Sequence, residues 1–473
     1  MPKTNTQFYY ICGMNPLNDT IIALATPQGQ SAIAVIRLSG CKAIEITDKI
    51  FRGVLLVEAT SHTVHYGWIH DGDKDIDEVM VAIFKAPKTF TAEDSTEISC
   101  HGSLHIIQAI INVALKNGAV TAFPGEFTLR AFLNGRIDLS QAEAVADLIH
   151  SASTKSANIA LHQLKGHLSH HIKELRQELV DFAALIELEL DFSEEDVEFA
   201  NRDHLKALIK RILKVIDPII DSFKWGNSIK EGIPVAIIGA PNAGKSTLLN
   251  TVLNEEKAMV SDIEGTTRDF IEDSLILDGI TFRFIDTAGI RDTQDVLENM
   301  GIERSKQKLR EAEIVLFISD VNKPVDRILE EYASLSISDS QKSCILLNKS
   351  DTLTNALSTK KAEEIEAKTH IKTIPITAKY AHTLEPMMDF LRAYTHEKPS
   401  DDSTIITNSR HFEAFQKTKM SLQKALEGIE NGITSDFVAM DIREALYHLG
   451  TITGEVSTDD LLESIFSKFC IGK

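Results

Sequence analysis

The stretch Gly239-Ala-Pro-Asn-Ala-Gly244-Lys245-Ser246 lies between an apolar run, Pro234 to Ile238, and a helical run, Thr247 to Leu253. A strand, a tight glycine-bearing loop ending in Lys-Ser and then a helix leave few alternatives to a phosphate-binding loop in an α/β domain. The glycines let backbone N–H groups turn toward an anion at the helix N-terminus. Lys245 adds a point charge for the β- and γ-phosphates, and Ser246 offers a hydroxyl to Mg²⁺. Ala243, Gly244 and Thr247 belong to the same contact. A glycine-rich turn without a phosphate role would need neither the strand before it nor the helix after it.

The alternation continues through Phe282 to Ile285, Ile314 to Ile318, Cys344 to Leu347 and Thr373 to Ile376. It predicts a parallel sheet covered by helices over residues 230–393. Asp286-Thr287-Ala288-Gly289 ends one of these strands, where a carboxylate can hold the water shell of the metal and a glycine N–H can sense the γ-phosphate. Thr267, in Gly265-Thr266-Thr267-Arg-Asp269, is the natural first switch and a second hydroxyl for Mg²⁺. Asn348-Lys349-Ser-Asp351 follows the next strand, and Asp351 can accept from both the ring N–H and the exocyclic amine of guanine. Adenine lacks that donor pair and would leave a buried charge unpaired. Thr377-Ala378-Lys379 completes the base pocket through backbone donors. Five motifs in this order predict GTP binding.

Where many GTPases carry a water-orienting glutamine after Asp-x-x-Gly, this chain has Ile290. A hydrocarbon cannot orient water, so catalysis must draw on other groups. Arg291, Asp292, Asp295 and Glu298 are candidates in the following loop; by chemistry alone any of these acids reads first as a solvated loop charge.

The phosphate loop with Asn242, the Gly-Thr-Thr-Arg-Asp run, Asp286-Thr-Ala-Gly-Ile-Arg291 and Gly301-Ile-Glu-Arg304 together resemble the MnmE (TrmE) family. That resemblance implies that a potassium ion substitutes for an arginine finger. Its ligands would be Asn242 and oxygens of Ser261, Ile263 and Thr266, with Asp262 and Glu264 in the same nucleotide-contacting loop. It also implies that Glu298, three residues before Gly-Ile-Glu-Arg, orients the attacking water. Without the resemblance, Asn242 reads as a turn residue tolerating unusual backbone angles.

Residues 1–18 carry no periodic pattern and form an N-terminal extension, with Met14 as an alternative start. Residues 19–135 read as an α+β domain, with strand-like runs at Thr20 to Leu24, Ala32 to Leu38 and Glu78 to Phe84 and a helix around Leu104 to Leu115. From Leu161 through Leu164, Leu168, Ile172, Leu175, Leu179, Phe182 and Ile186 to Leu190, apolar residues step by three and four and predict one long helix. Helical character returns after residue 408. The simplest architecture is an α/β nucleotide-binding domain inserted between two halves of a helical domain, 136–229 and 394–473. His101 with His105, and His167 with His170 and His171, read as structural rather than metal-binding, and Glu194-Glu195-Asp196 as a solvated helix end.

The resemblance covers residues 20 to 473. Ala25-Thr-Pro-Gln-Gly29 through Arg37-Leu-Ser-Gly40, Phe90-Thr-Ala-Glu-Asp94 with Glu97, and Pro124-Gly-Glu-Phe with Arg130 to Arg136 resemble the family's folate-binding domain. It implies Arg37, Glu97, Arg136 and Lys473 as contacts to a tetrahydrofolate derivative, with 5,10-methylene-tetrahydrofolate as the carbon donor. Some members carry lysine at Arg136, and arginine keeps the charge while changing the geometry. The terminal Phe469-Cys470-Ile471-Gly472-Lys473 resembles the family's cysteine-bearing tail. Cys470 would act either as a nucleophile or acid/base, or in shaping the folate pocket.

A formal charge of −20 argues against a large sequence-independent grip on nucleic acid. Five scattered cysteines without a Cys-x-x-Cys pair encode no disulfide framework or zinc site, no apolar run is long enough to span a bilayer, and a cytoplasmic location is expected. The resemblance implies a homodimer and a heterotetramer with the flavoprotein MnmG, FAD residing on that partner. Together they would add an aminomethyl-type group (carboxymethylaminomethyl or aminomethyl) to C5 of the wobble uridine of certain tRNAs. The alternative is an RNA-binding GTPase switch of ribosome assembly, which would need neither the folate-type domain nor the terminal cysteine.

Overall fold

The computed structural model describes residues 19–191, 202–259, 274–285, 309–396, 405–470 and 472. The chain forms two compact units. One comprises the residues up to Ala146, Gln163–Lys206 and the chain from Met420 onward; the other comprises Asp147–His162 and Ala207–Lys419.

The first unit is built on a seven-stranded sheet of β1 (Thr20–Leu24), β2 (Ser31–Ser39), β3 (Phe51–Arg52), β4 (Thr63–Asp71), β5 (Lys74–Phe84), β6 (Ser95–Gly102) and β7 (Ala119–Thr121), in the order β3-β4-β5-β6-β2-β1-β7. All pairings are antiparallel except β1 with β7. Helices α1 (Ala43–Ile50) and α2 (Leu104–Lys116) bury Ile46, Ile50, Ile107, Ile110 and Val113 in one core with Ile22, Ile36, Leu38, Val81, Ile83 and Ile98. The two-residue period of a strand sends alternate side chains to the other face. There Ile21 and Ala23 meet Phe127 and Phe90 in a smaller cluster, under α3 (Glu126–Leu133).

Helix α4 (Leu139–His150) starts on a reciprocal cap: the Gln141 N–H donates to Asp138 Oδ1 and the Asp138 N–H to Gln141 Oε1, both at 3.0 Å. The predicted long helix is two, α5 (Thr154–Leu164) and α6 (His167–Asp191). Gly166, at φ +83°, breaks it in a left-handed conformation that a β-carbon disfavours, and Leu161 is exposed rather than part of the stripe. From Leu168 to Ile186 the stripe holds, buried and packed against a later helix, Ser435–Thr453. The acidic run 194–196 lies outside the described residues.

The second unit follows α7 (Arg202–Glu231) with a six-stranded sheet of β8 (Ile233–Ile238), β9 (Ser274–Leu277), β10 (Ile280–Ile285), β11 (Ile314–Asp320), β12 (Lys342–Asn348) and β13 (Thr373–Pro375), in the order β13-β12-β11-β8-β10-β9. It is parallel except for β9, which runs antiparallel to β10 at one edge. The sheet is thus mixed where parallel pairing alone was expected, because a two-residue turn at Asp278-Gly279, both at positive φ, joins β9 to β10 as a hairpin. Helices α8 (Lys245–Met259), α9 (Val325–Ala333), α10 (Asn355–Thr369) and α11 (Glu385–His396) cover it. Its core also takes in Ile159 of α5 and Trp225 and Ile229 of α7. Helices α12 (Ser409–Glu430), α13 (Ser435–Thr453) and α14 (Asp459–Phe466) complete the described chain. Among the described residues no helix is long and apolar enough to cross a membrane.

Candidate functional sites

The first site forms at the C-terminal ends of β8, β11, β12 and the strand before Thr377. Strand β8 is bracketed by β10 and β11, so the loop leaving it is held on both sides. A β-carbon on Gly239 would come within 2.1 Å of the Ile318 carbonyl oxygen, and one on Gly244 within 2.0 Å of Asn348 Nδ2. Only glycine allows that approach. Asn242 at φ +60° and Gly244 at φ +107° turn the loop so that its amides form a concavity suited to an anion, ahead of the N-terminus of α8. Lys245 Nζ donates to the carbonyls of Gly239 and Ala240 at 2.7 and 3.1 Å, lying across the loop that its motif serves. Ser246 follows at the first turn of α8, half-buried, and Thr247 is exposed.

Asn348 ties the phosphate loop to the base loop. Its buried amide donates to the Ala243 carbonyl at 2.7 Å and accepts the Ala378 N–H at 2.9 Å. The Thr251 hydroxyl of α8 donates to the Ala378 carbonyl at 2.7 Å, and the Thr383 hydroxyl pairs with both backbone groups of Thr377. The Asp351 N–H donates to Thr377 Oγ1 at 3.2 Å, and Asp351 and Lys379 are both exposed. Lys349, at φ +64°, reaches Asp320 Oδ2 at 2.7 Å. Burial works to raise the Asp320 pKa, yet the hydrogen bonds from Lys349 and Asn322 win and hold its carboxyl below the usual value.

Ser261, Asp262, Ile263, Glu264, Gly265, Thr266 and Thr267 lie outside the described residues, as do Asp286, Thr287, Ala288, Gly289, the candidates Arg291, Asp292, Asp295 and Glu298, and terminal Lys473. Of the proposed potassium ligands only Asn242 is described. Its left-handed backbone is by itself a reason for asparagine there, and its side chain is exposed.

The second site lies on the face of the first sheet opposite its main core. Register makes Arg37 of β2 and Glu97 of β6 direct cross-strand partners, and strand alternation points both away from Ile36, Leu38 and Ile98. Arg37 Nε and Nη2 both bond Glu97 Oε1, at 2.9 and 2.7 Å. The Arg37 guanidinium stands 5.4 Å from the centre of the Phe90 ring and 5.8 Å from that of Phe127, and Arg136 covers Phe90 at 5.1 Å while donating to its carbonyl at 2.8 Å. Burial lowers the Arg136 pKa, without making its charge titratable near neutrality. Beneath, buried Arg130 bonds Glu126 and Glu93 and the Asp19 carbonyl, fixing α3 against the sheet.

The chain end returns to this site. A β-carbon on Gly125 would meet the Phe466 carbonyl oxygen at 2.6 Å, and one on Gly472 would meet that of Leu24 at 2.2 Å. The tail thus lies against the end of β1, Phe469 is buried, and Cys470 beside it is an exposed free thiol. Two cations, a carboxylate and aromatic faces converge here, a donor set that fits a flat heterocycle with an anionic tail.

Residues 20–136 match the family model described as GTP-binding protein TrmE N-terminus, and residues 139–470 match the MnmE helical domain. The chain is 50% identical over 460 residues to the tRNA modification GTPase MnmE of Cytophaga hutchinsonii, covering 96% of this chain and 98% of that one. The chain belongs to the MnmE family of tRNA modification GTPases. The relatives of Flavobacterium johnsoniae and Bacteroides thetaiotaomicron bearing the same name are 48% and 47% identical, each over 96% of this chain and 99% of the relative.

His101 gains a partner that the sequence reading did not give it: Nδ1 lies 2.8 Å from Asp77 Oδ1, and Asp77 Oδ2 takes the His101 N–H at 2.8 Å. Asp77 on β5 and His101 on β6 thus tie neighbouring strands together. Sequence reasoning missed the aromatic walls Phe90 and Phe127 and the supports Thr251 and Thr383. Both phenylalanines stand inside the quoted motifs, but nothing in their spacing tells that they meet under Arg37.

Proposed function

We propose that this MnmE-family chain is a potassium-activated GTPase acting with the flavoprotein MnmG to place an aminomethyl-type group on C5 of the wobble uridine of certain tRNAs. The observation that carries the one-carbon half is the cluster of Arg37, Glu97 and Arg136 with Phe90 and Phe127 on one sheet face, near which the chain end packs against Gly125 and the end of β1. A switch acting only in ribosome assembly has no use for such a site.

In the nucleotide half, the loop amides and Lys245 neutralise the phosphates, Asp351 selects guanine, and Ser246 with Thr267 holds Mg²⁺. Asn242, Ser261, Ile263 and Thr266 hold K⁺, which supplies positive charge where an arginine finger otherwise would. Glu298 orients the water that Ile290 cannot. In the other half, Glu97 accepts from the amino-pyrimidine edge of a pterin, while Arg37, Arg136 and Lys473 meet anionic groups; the bound folate supplies the carbon. Cys470 sits at this site as nucleophile, proton carrier or wall.

Two copies are proposed to pair through the first unit. Support comes from β4 and β5, whose solvent-facing positions carry Val64, Tyr66, Trp68 and Met80 where an outward strand face is ordinarily polar.

Turnover measured in potassium and in sodium at equal ionic strength, alongside titration of the full chain with 5-formyl-tetrahydrofolate, tests both halves. Faster hydrolysis in potassium and saturable folate binding that is weakened in Arg37→Ala are expected. Equal turnover in the two salts removes Asn242 from its role, and no folate binding removes the one-carbon reading.

A further inference from the structure

Acidic groups outnumber basic ones, 69 to 49, yet between Asp147 and Glu174 the chain has no acidic residue. Part of that interval lines a cavity of about 400 Å³ where α5 turns into α6, and its walls include Lys165, His167, His170 and Lys173. The cations stand at the wrong end of a helix. Positive charge near a helix N-terminus opposes the helix dipole, which favours anions there; Lys165 precedes α6, Lys173 lies in its second turn, and α6 has no acidic residue in its first turn.

Several polar groups in the same wall are tied to one another. Asp138 Oδ1 takes the Gln141 N–H and the Ser140 hydroxyl, at 3.0 and 2.9 Å; Gln141 Nε2 donates to the Leu164 carbonyl at 2.8 Å; and the Ser169 and Ser140 hydroxyls pair at 2.8 Å. Gly166, preceding α6, has no side chain with which to cap its first amides. His170 has one acid near, Glu174 at 3.2 Å on the exposed side of the helix. Two lysines, two histidines and the opening turn of a helix therefore line a space whose wall carries one carboxylate, Asp138, with its Oδ1 turned to the cap of α4.

A cavity this large exceeds what a bare phosphate ion fills, and no phenylalanine, tyrosine or tryptophan lines it as a platform for a base. That combination suits a sugar-phosphate backbone held without base readout. We propose that this cavity grips a backbone phosphodiester of the tRNA substrate. The assignment rests on the tRNA reading above and adds where an acidic chain makes its local contact.

The test is a salt series of tRNA binding, by fluorescence anisotropy, on the full-length protein and on K165A/K173A. The double variant should bind about tenfold or more weakly at moderate salt, with the slope of log affinity against log salt reduced by roughly 1.4 to 1.8. GTP turnover without RNA should be unchanged, and K165R/K173R should bind as the wild type does. A double variant that matches the wild type in affinity and slope overturns the proposal while the tRNA reading stands. Wild-type protein that binds no tRNA sinks both. Inorganic phosphate should displace tRNA no better than chloride at matched ionic strength; specific displacement at low millimolar phosphate would assign the cavity to the free ion and overturn the backbone source.

Discussion

The two sites are built by opposite means. The described part of the nucleotide site is a set of short contiguous motifs, each issuing from one end of a largely parallel sheet, so a few consecutive residues carry both the turn and the chemistry. The second site is made by pairing: Arg37 and Glu97 are far apart in sequence and meet only because β2 and β6 lie side by side in one register. The contrast teaches that backbone-made sites survive side-chain change except at a few points, whereas a cross-strand site depends on every member of the set.

Substitutions that strike one site and spare the other break or sharpen this contrast. The largest effect is expected from Lys245→Ala, which should cut GTP turnover by on the order of 10²-fold or more while folate binding is retained; steady-state phosphate release alongside a folate titration checks it. Asp351→Asn should weaken GTP by about 10²-fold and favour xanthosine triphosphate, whose 2-oxo group accepts from an amide, in a competition assay. Arg37→Ala leaves Glu97 without its partner and should weaken folate by about tenfold or more, leaving GTP turnover near that of the wild type.

Asn348→Ala removes both hydrogen bonds joining the phosphate and base loops and should cost roughly 2 to 4 kcal/mol of stability, read by urea unfolding. The smallest effect belongs to Asp320. Its carboxyl is held below its unfolded value, so the Lys349 pair contributes above the ordinary carboxylate pKa, about 3.9, and the contribution fades as pH falls through the folded value. Because the pair is partly exposed, Asp320→Asn should lower stability by ~0.5 kcal/mol or less at neutral pH and make no difference in strong acid.

What could be read from sequence follows from the same contrast. Strand periodicity at Thr20 to Leu24 and Ile314 to Ile318 and glycine spacing at 239–244 are local signals, and the structure has strands and a loop where they point. The helix break at Gly166 was also local, but a leucine stripe running through it concealed the turn. The antiparallel hairpin of β9 and β10 was hidden because edge strands need no crossover helix to announce them. Phe90 and Phe127 under Arg37, and the tail lying against Leu24, depend on contacts between distant segments, which one sequence does not encode in any short pattern. Cysteine chemistry divides likewise: burial, with the Asp77 charge adding to it, pushes the Cys100 thiol up to about 11, and burial raises that of Cys344, whereas Cys41 and Cys470 are exposed.

The most direct test is mass spectrometry of tRNA nucleosides from cells lacking this chain, complemented with the wild type, Lys245→Ala or Arg37→Ala. Loss of the C5-modified wobble uridine, restored by the wild type and by neither variant, is the predicted result. Wobble uridines that stay fully modified when the chain is absent would contradict the account.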